Sequence, residues 1–248
     1  MRIFRQVSLV TLFALLVFCS GCVSRSPWFI VAGKTVDQQE LEVIQSYPPG
    51  ELTEELPEVF QIEFQTSAQR SMGTGFFVQH DSITYIVTAA HNMRDSTTMR
   101  VFRYPGPISV IPGAYAVDTT NDIAVIAVLT DNPSFTLADP LDLSRIPTVM
   151  EEVFEPIGID MYGYPGSWGF RRVSCSVYRV LKHRGITSLV STGSCESGMS
   201  GGPWIHNGKV IAVHTTSLGL IEGNEVQHRS GGTPVNHIHD LIYKISKK

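Results

Sequence analysis

Cys195-Glu196-Ser197-Gly198-Met199-Ser200-Gly201-Gly202-Pro203 is the stretch on which the fold is decided. Glycine stands two places before Ser200 and at both places after it, so the backbone there can take angles that side chains forbid and can approach a ligand closely. That makes Ser200 a candidate nucleophile and sets the N–H groups of Gly198 and Ser200 to converge on a developing oxyanion. The string also satisfies Gly-x-Ser-x-Gly, the strand-to-helix elbow of a doubly wound enzyme, in which the acid and the histidine follow the serine. What comes next rejects that reading. Pro203 leads through Trp204-Ile205-His206 to an Asn207-Gly208 turn and then to Lys209–His214, which is a β-hairpin and not a helix.

Outward from that hairpin the chain reads as an all-β body. Its 248 residues hold 21 Gly and 14 Pro between short Val/Ile/Thr/Tyr/Phe runs. At 43% hydrophobic and 17% charged it is neither a disordered chain nor a coiled coil, and its length suits one domain, or one domain and a tether. A net charge of −4 without a basic patch excludes a general nucleic-acid binder, which needs positive surface to displace counterions.

Two further segments carry chemistry. Gly73-Thr74-Gly75-Phe76-Phe77-Val78 and Thr84-Tyr85-Ile86-Val87-Thr88 alternate like paired strands, and the second runs into Ala89-Ala90-His91, whose small residues let a turn pack behind the imidazole of a general base. Thr120-Asn121-Asp122 opens the apolar strand Ile123–Val128, so Asp122 is placed to orient a histidine, with Asp118 as its local competitor. His237 and His239, on a helix expected to start near Asn236, are two residues apart and point to different faces, so no metal and no cofactor are expected.

The order His91, Asp122, Ser200, with Thr88-Ala89-Ala90-His91, Asp122-Ile123-Ala124 and Gly198-Met199-Ser200-Gly201-Gly202-Pro203, resembles the chymotrypsin-like serine peptidases. The resemblance implies two six-stranded antiparallel β-barrels over residues 58–248, with His91 and Asp122 from the first and Ser200 from the second. It also implies a short C-terminal helix and a Ser-His-Asp triad. Gly198 and Ser200 would form the oxyanion hole. Ser194, Cys195, His214, Thr215 and Thr216 would line the substrate pocket. Met199 stands where zymogen-activated relatives carry aspartate, which excludes activation by that ion pair. Gly73-Thr74-Gly75-Phe76 and Gly163-Tyr164-Pro165-Gly166 are similar to bacterial glutamyl-endopeptidase and HtrA-type relatives. Without an acid near Ser194, a Lys/Arg preference is not expected. His214 reads either as a carboxylate-binding histidine or as a buried one.

At the N-terminus, Arg2 and Arg5 precede the apolar run Val7–Phe18 and then Cys19-Ser20-Gly21-Cys22, a secretory leader over residues 1–21. It resembles a bacterial lipoprotein signal, which implies lipidation of Cys22, a tether over residues 22–57 and a place in the cell envelope, the alternative being a secreted or periplasmic protein. Trp28–Val31 is a possible strand within the tether. In an oxidising compartment Cys175 and Cys195 are expected to pair, because a hairpin folded about Arg184-Gly185 sets position 175 opposite 194. The sequence thus predicts an envelope-anchored serine endopeptidase acting on protein or peptide substrates, the alternative being a catalytically silent scaffold of the same fold.

Overall fold

The computed structural model describes residues 51–52, 56–65, 70–93, 98–103, 106–108, 110, 112–129, 135–137, 156–166, 169–183, 186–222 and 225–247. The leader, Cys22, Trp28–Val31 and the Arg184-Gly185 turn lie outside these residues.

Glu51–Leu52 (β1) is followed by the strands of the first barrel: Val59–Gln65 (β2), Arg70–His80 (β3), Ile83–Ala89 (β4), Thr98–Arg103 (β5), Gly106–Ile108 (β6), Pro112–Asp118 (β7) and Ile123–Val128 (β8). They pair in the order β6-β5-β2-β3-β4-β8-β7, all antiparallel, as a curved half-barrel in which short β6 extends β5. Alternation along these strands feeds two cores. Phe60, Ile62, Phe77, Ile86, Val101 and Ile126 fill the barrel interior, where the Phe60 and Phe77 rings lie 4.6 Å apart. Val59, Phe76, Val78, Val87 and Val125 face the other way, into a core shared with the second barrel. Both faces are covered, which is why these strands read as nearly continuous apolar runs.

Phe135–Leu137 (β9) runs parallel to both β3 and a strand of the second barrel and joins the two sheets. The second barrel comprises Ile157–Gly163 (β10), Arg171–His183 (β11), Ile186–Ser191 (β12), Pro203–His206 (β13), Lys209–Glu222 (β14) and Glu225–Pro234 (β15). Its ring closes, because β13 bonds β10 on one side and β14 on the other. The β13–β14 hairpin turns at Asn207 and Gly208, both at positive φ as a two-residue turn of this kind requires. The fold is the two-barrel, chymotrypsin-like architecture that the sequence predicts.

Two differences from the sequence reading concern β11. In its outer half, Arg179 pairs with Val190 and His183 with Ile186, the register expected for a turn at 184–185. Val177 then pairs with Ser191, which leaves Tyr178 as an extra residue in a β-bulge and slips the frame by one. Cys175 therefore lies over Gly193 and not opposite Ser194: a Cβ on Gly193 would stand 3.0 Å from its sulfur. The expected disulfide is not formed, and Cys175 and Cys195 are free thiols. The Cys195 thiol turns instead to Met161 Sδ at 3.7 Å. The second difference is β1, which pairs with Arg171 and Arg172 and so adds the end of the expected tether to the barrel. The β12 ladder reaches back only to Val177, and β1 pairs with β11 at 171–172, beyond that point.

The helix Asn236–Ser246 (α1) starts where the sequence places it. Ile238, Leu241, Ile242 and Ile245 recur at helical spacing on its buried face, which packs back onto β7 and β8 of the first barrel. Truncation of this face is expected to be costly. Ile238→Ala should lower stability by about 2–5 kcal/mol, and Tyr243→Ala, on the exposed side, by less than about 1 kcal/mol, as read from denaturant unfolding.

Candidate active site

His91 sits in a single turn of 3-10 helix, Ala90–Met93, that follows β4 directly. Ala89 and Ala90 are buried behind it, as their size allows. Asp122 ends the turn before β8 and holds the histidine at three points. Its Oδ2 lies 2.6 Å from His91 Nδ1, its Oδ1 accepts from the His91 backbone N–H at 2.8 Å, and its carbonyl accepts from Ala90 N–H at 3.1 Å. The acid thus fixes both the ring and the backbone that carries it, leaving Nε2 as the nitrogen free to act. Asp122 takes φ +55°, a left-handed conformation that aspartate tolerates better than most residues. From the second barrel Thr233 Oγ1 donates to the Asn121 carbonyl at 2.6 Å and braces the same turn.

Asp118, the local competitor, serves the turn instead. It accepts from Thr120 N, Asn121 N and Asn121 Nδ2 at 2.7–3.0 Å. Burial works to raise its pKa, but the hydrogen bonds from Asn121 and Thr120 outweigh that and hold it below the usual range. His237 Nδ1 is 4.0 Å from Asp118 and the His239 ring packs edge-on against His80, so the two helix histidines do diverge.

The Ser200 loop is built by backbone hydrogen bonds to both barrels. Gly201 N–H donates to the His214 carbonyl (2.7 Å) and His214 N–H to the Gly202 carbonyl (2.8 Å), which sets the loop against β14. Met199 N–H donates to Glu196 O and Gly202 N–H to Met199 O. Among the described residues, the N–H groups of Gly198 and Ser200 are the two in this loop segment, 198–202, that donate to no acceptor. The Ser200 carbonyl accepts from Thr74 N–H (2.9 Å) and from Asn92 Nδ2 (3.0 Å), so residues beside His91 and on β3 hold the serine's own peptide. Among the described residues, no hydrogen bond joins His91 Nε2 to Ser200 Oγ, a contact that in enzymes of this kind is often long before substrate binds.

The predicted pocket segments both lie against β15. Gly193 O accepts from Ser230 N–H and Ser191 Oγ, which lays the 192–195 segment along β15. Thr215 is the extra residue of a bulge between His214 and Thr216, and it is buried. His214 is 3% exposed and stacks on Trp204, its Nδ1 unpartnered. Burial, helped by the nearby His91, pushes its pKa down to about 3, so the ring stays neutral. Burial raises the thiols as well, Cys175 to about 11 and Cys195 to about 12, so neither is a thiolate near neutral pH.

Sequence reasoning missed Thr74, Thr88, Asn92 and Thr233. The available signal was Gly73-Thr74-Gly75, a threonine between glycines in an otherwise apolar strand. Gly73 is needed for space, since a Cβ there would fall within 2.7 Å of the Asn92 amide group.

A family model for the trypsin-like peptidase domain matches residues 73–213, and the chain belongs to that family. The uncharacterized protein y4bJ of Sinorhizobium fredii is 28% identical over 189 residues, 69% of this chain, which spans about a quarter (26%) of that relative. The active form of the Rv3671c protease from M. tuberculosis superposes with a TM-score of 0.58 at 20% identity, covering 76% of this chain and 81% of that one. The serine endoprotease from Yersinia pestis gives 0.56 at 20% identity (77% and 64%), and the HtrA-type protease AlgW with a tripeptide 0.56 at 16% (76% and 60%). The inactive form of Rv3671c matches too, with a TM-score of 0.53, so these likenesses define the fold alone.

The neutral His214 has a measurable signature. Unfolded, an imidazole titrates near 6.5, and folded, this one near about 3. Between those values the unfolded chain binds the extra proton, so stability falls as pH drops through the window. From pH 6.5 to 4, wild type should lose up to about 1.4 kcal/mol per pH unit more than His214→Asn, read from unfolding at constant ionic strength.

Proposed function

We propose that the protein is a serine endopeptidase in which Ser200, His91 and Asp122 form the catalytic triad. The observation that carries this reading is the pair of unused amides, that of Gly198 two residues before the serine and that of Ser200 itself, in a loop whose Ser200 carbonyl is tied to the residue after His91. Ser200 Oγ attacks a peptide carbonyl, its proton passes to His91 Nε2, and the carbonyl electron pair moves onto oxygen, where the two amides receive it. Collapse expels the amine, which takes the proton from His91 and leaves an acyl-enzyme. Water, deprotonated by the same nitrogen, then releases the acid. Asp122 holds the imidazole in the tautomer with Nδ1–H toward itself and stabilises the imidazolium. The pocket residues Ser194, Cys195, Thr215 and Thr216 carry no charge, so selection there would rest on shape and hydroxyl contacts.

The second reading, a silent scaffold of the same fold, draws on the absent His91–Ser200 hydrogen bond. A fluorophosphonate probe decides between them. Labelling of wild type and loss of labelling in Ser200→Ala is the expected outcome; folded wild type that stays unlabelled supports the scaffold.

The same proposal places the protein in the bacterial envelope, held by lipid on Cys22. Supporting it are the leader ahead of that cysteine and the stretch of chain between it and β1. In fractionated cells the full-length protein should sit with membranes, and Cys22→Ser should move it to the soluble fraction.

A further inference from the structure

Thr74 lies in β3 of the first barrel and is fully buried, yet its hydroxyl serves only groups of the second barrel. Oγ1 donates to the Gly198 carbonyl at 2.9 Å and accepts from the Tyr164 backbone N–H at 2.9 Å, so its donor and one acceptor site are spent on partners 124 and 90 residues away. The Thr74 backbone joins the same junction. Its N–H donates to Ser200 O, and its carbonyl accepts from Thr88 Oγ1, which in turn receives Asn92 Nδ2. Gly198 is wedged from the other side, at φ +99°, where a Cβ would stand 2.4 Å from Gly166 N and 2.6 Å from Tyr164 O. With its carbonyl fixed and its α-carbon walled in by the Tyr164–Gly166 turn, Gly198 cannot turn about its Cα–C bond, which fixes where its amide nitrogen sits. The turn that walls it is held by the same hydroxyl.

We propose that Thr74 is a positioning residue for peptide hydrolysis: its hydroxyl latches the Tyr164–Gly166 turn and the Gly198 carbonyl together, so that the Gly198 amide nitrogen stays in place beside the oxyanion. The inference rests on the peptidase reading above. It says that one barrel sets the geometry of the oxyanion site in the other. Valine has the shape of threonine but neither donor nor acceptor, and it would leave both partners unpaired in a dry site. Loss of one oxyanion donor typically costs about 10²–10³ in turnover, and misplacement of a donor that is still present costs less.

The test compares Thr74→Val, Thr74→Ser and Thr74→Ala in the full chain, with thermal melts setting the assay temperature below every transition. The readouts are kcat and KM on a peptide substrate, and the inhibition constant of a peptide aldehyde, whose hemiacetal oxygen occupies the oxyanion position. Thr74→Val should lower kcat about 10- to 100-fold with KM within about 3-fold, and weaken the aldehyde by a similar factor. Thr74→Ser, which restores the hydroxyl, should recover most of both. If the valine variant does not fold, Thr74→Ala is read in the same way. Unchanged kcat and aldehyde affinity in the folded variant, or a serine variant as impaired as the valine, overturns the latch while leaving the peptidase reading intact. Wild type that neither cleaves peptides nor binds the aldehyde overturns both.

Discussion

The carbonyl of Ser200 is the point on which the site depends. A serine at the tip of a glycine-rich loop has no geometry of its own, and here its peptide is held by two donors, Thr74 N–H and Asn92 Nδ2, both from the half of the molecule that carries His91. Two hydrogen bonds of this kind contribute only about 1 kcal/mol each to stability. Their value lies in registration: they tie the Ser200 backbone to β3 and to the residue next to His91, so the two barrels cannot slide without breaking buried bonds. The acid does the same work on the other side, gripping His91 by ring and backbone at once.

The burial pattern explains why such registration is possible. The apolar faces of β3, β4 and β8 that point away from the first barrel's interior join Trp204, Val213 and the inner face of α1 in one continuous core. A shared core of close-packed side chains resists small displacements. The C-terminal helix adds to this by leaving the second barrel and covering β7 and β8 of the first. The polar junction at Thr74 sits within an interface that apolar packing already holds in place.

Much of this was legible in the sequence, and for local reasons. The Asn207-Gly208 turn after Pro203 announced a hairpin and excluded the elbow alternative; Thr88-Ala89-Ala90-His91 announced a strand running into a tight turn; a helix was expected to start near Asn236, where α1 begins. What was not legible depends on contacts between distant residues or on single irregularities. The bulge at Tyr178 moves Cys175 away from its expected neighbour, and nothing in Val173–Leu181 marks where an extra residue will sit. Thr74 looked like one more strand residue, because its partners lie far along the chain. His214 is readable as a ligand or as a core residue, and its place beside Trp204 and the backbone of the serine loop depends on contacts that no local pattern marks.

The division of labour between the barrels has a consequence for a ribosome-made chain. The bonds between Asp122 and the His91 turn all lie within residues 90–122, although Thr233 of the second barrel braces the same turn. Ser200 is translated later, in a loop bonded both to β14 of its own barrel and to β3 of the first. On the peptidase reading, a growing chain carries the histidine and the acid of the site before its serine exists, so the site is complete only when both barrels have been made.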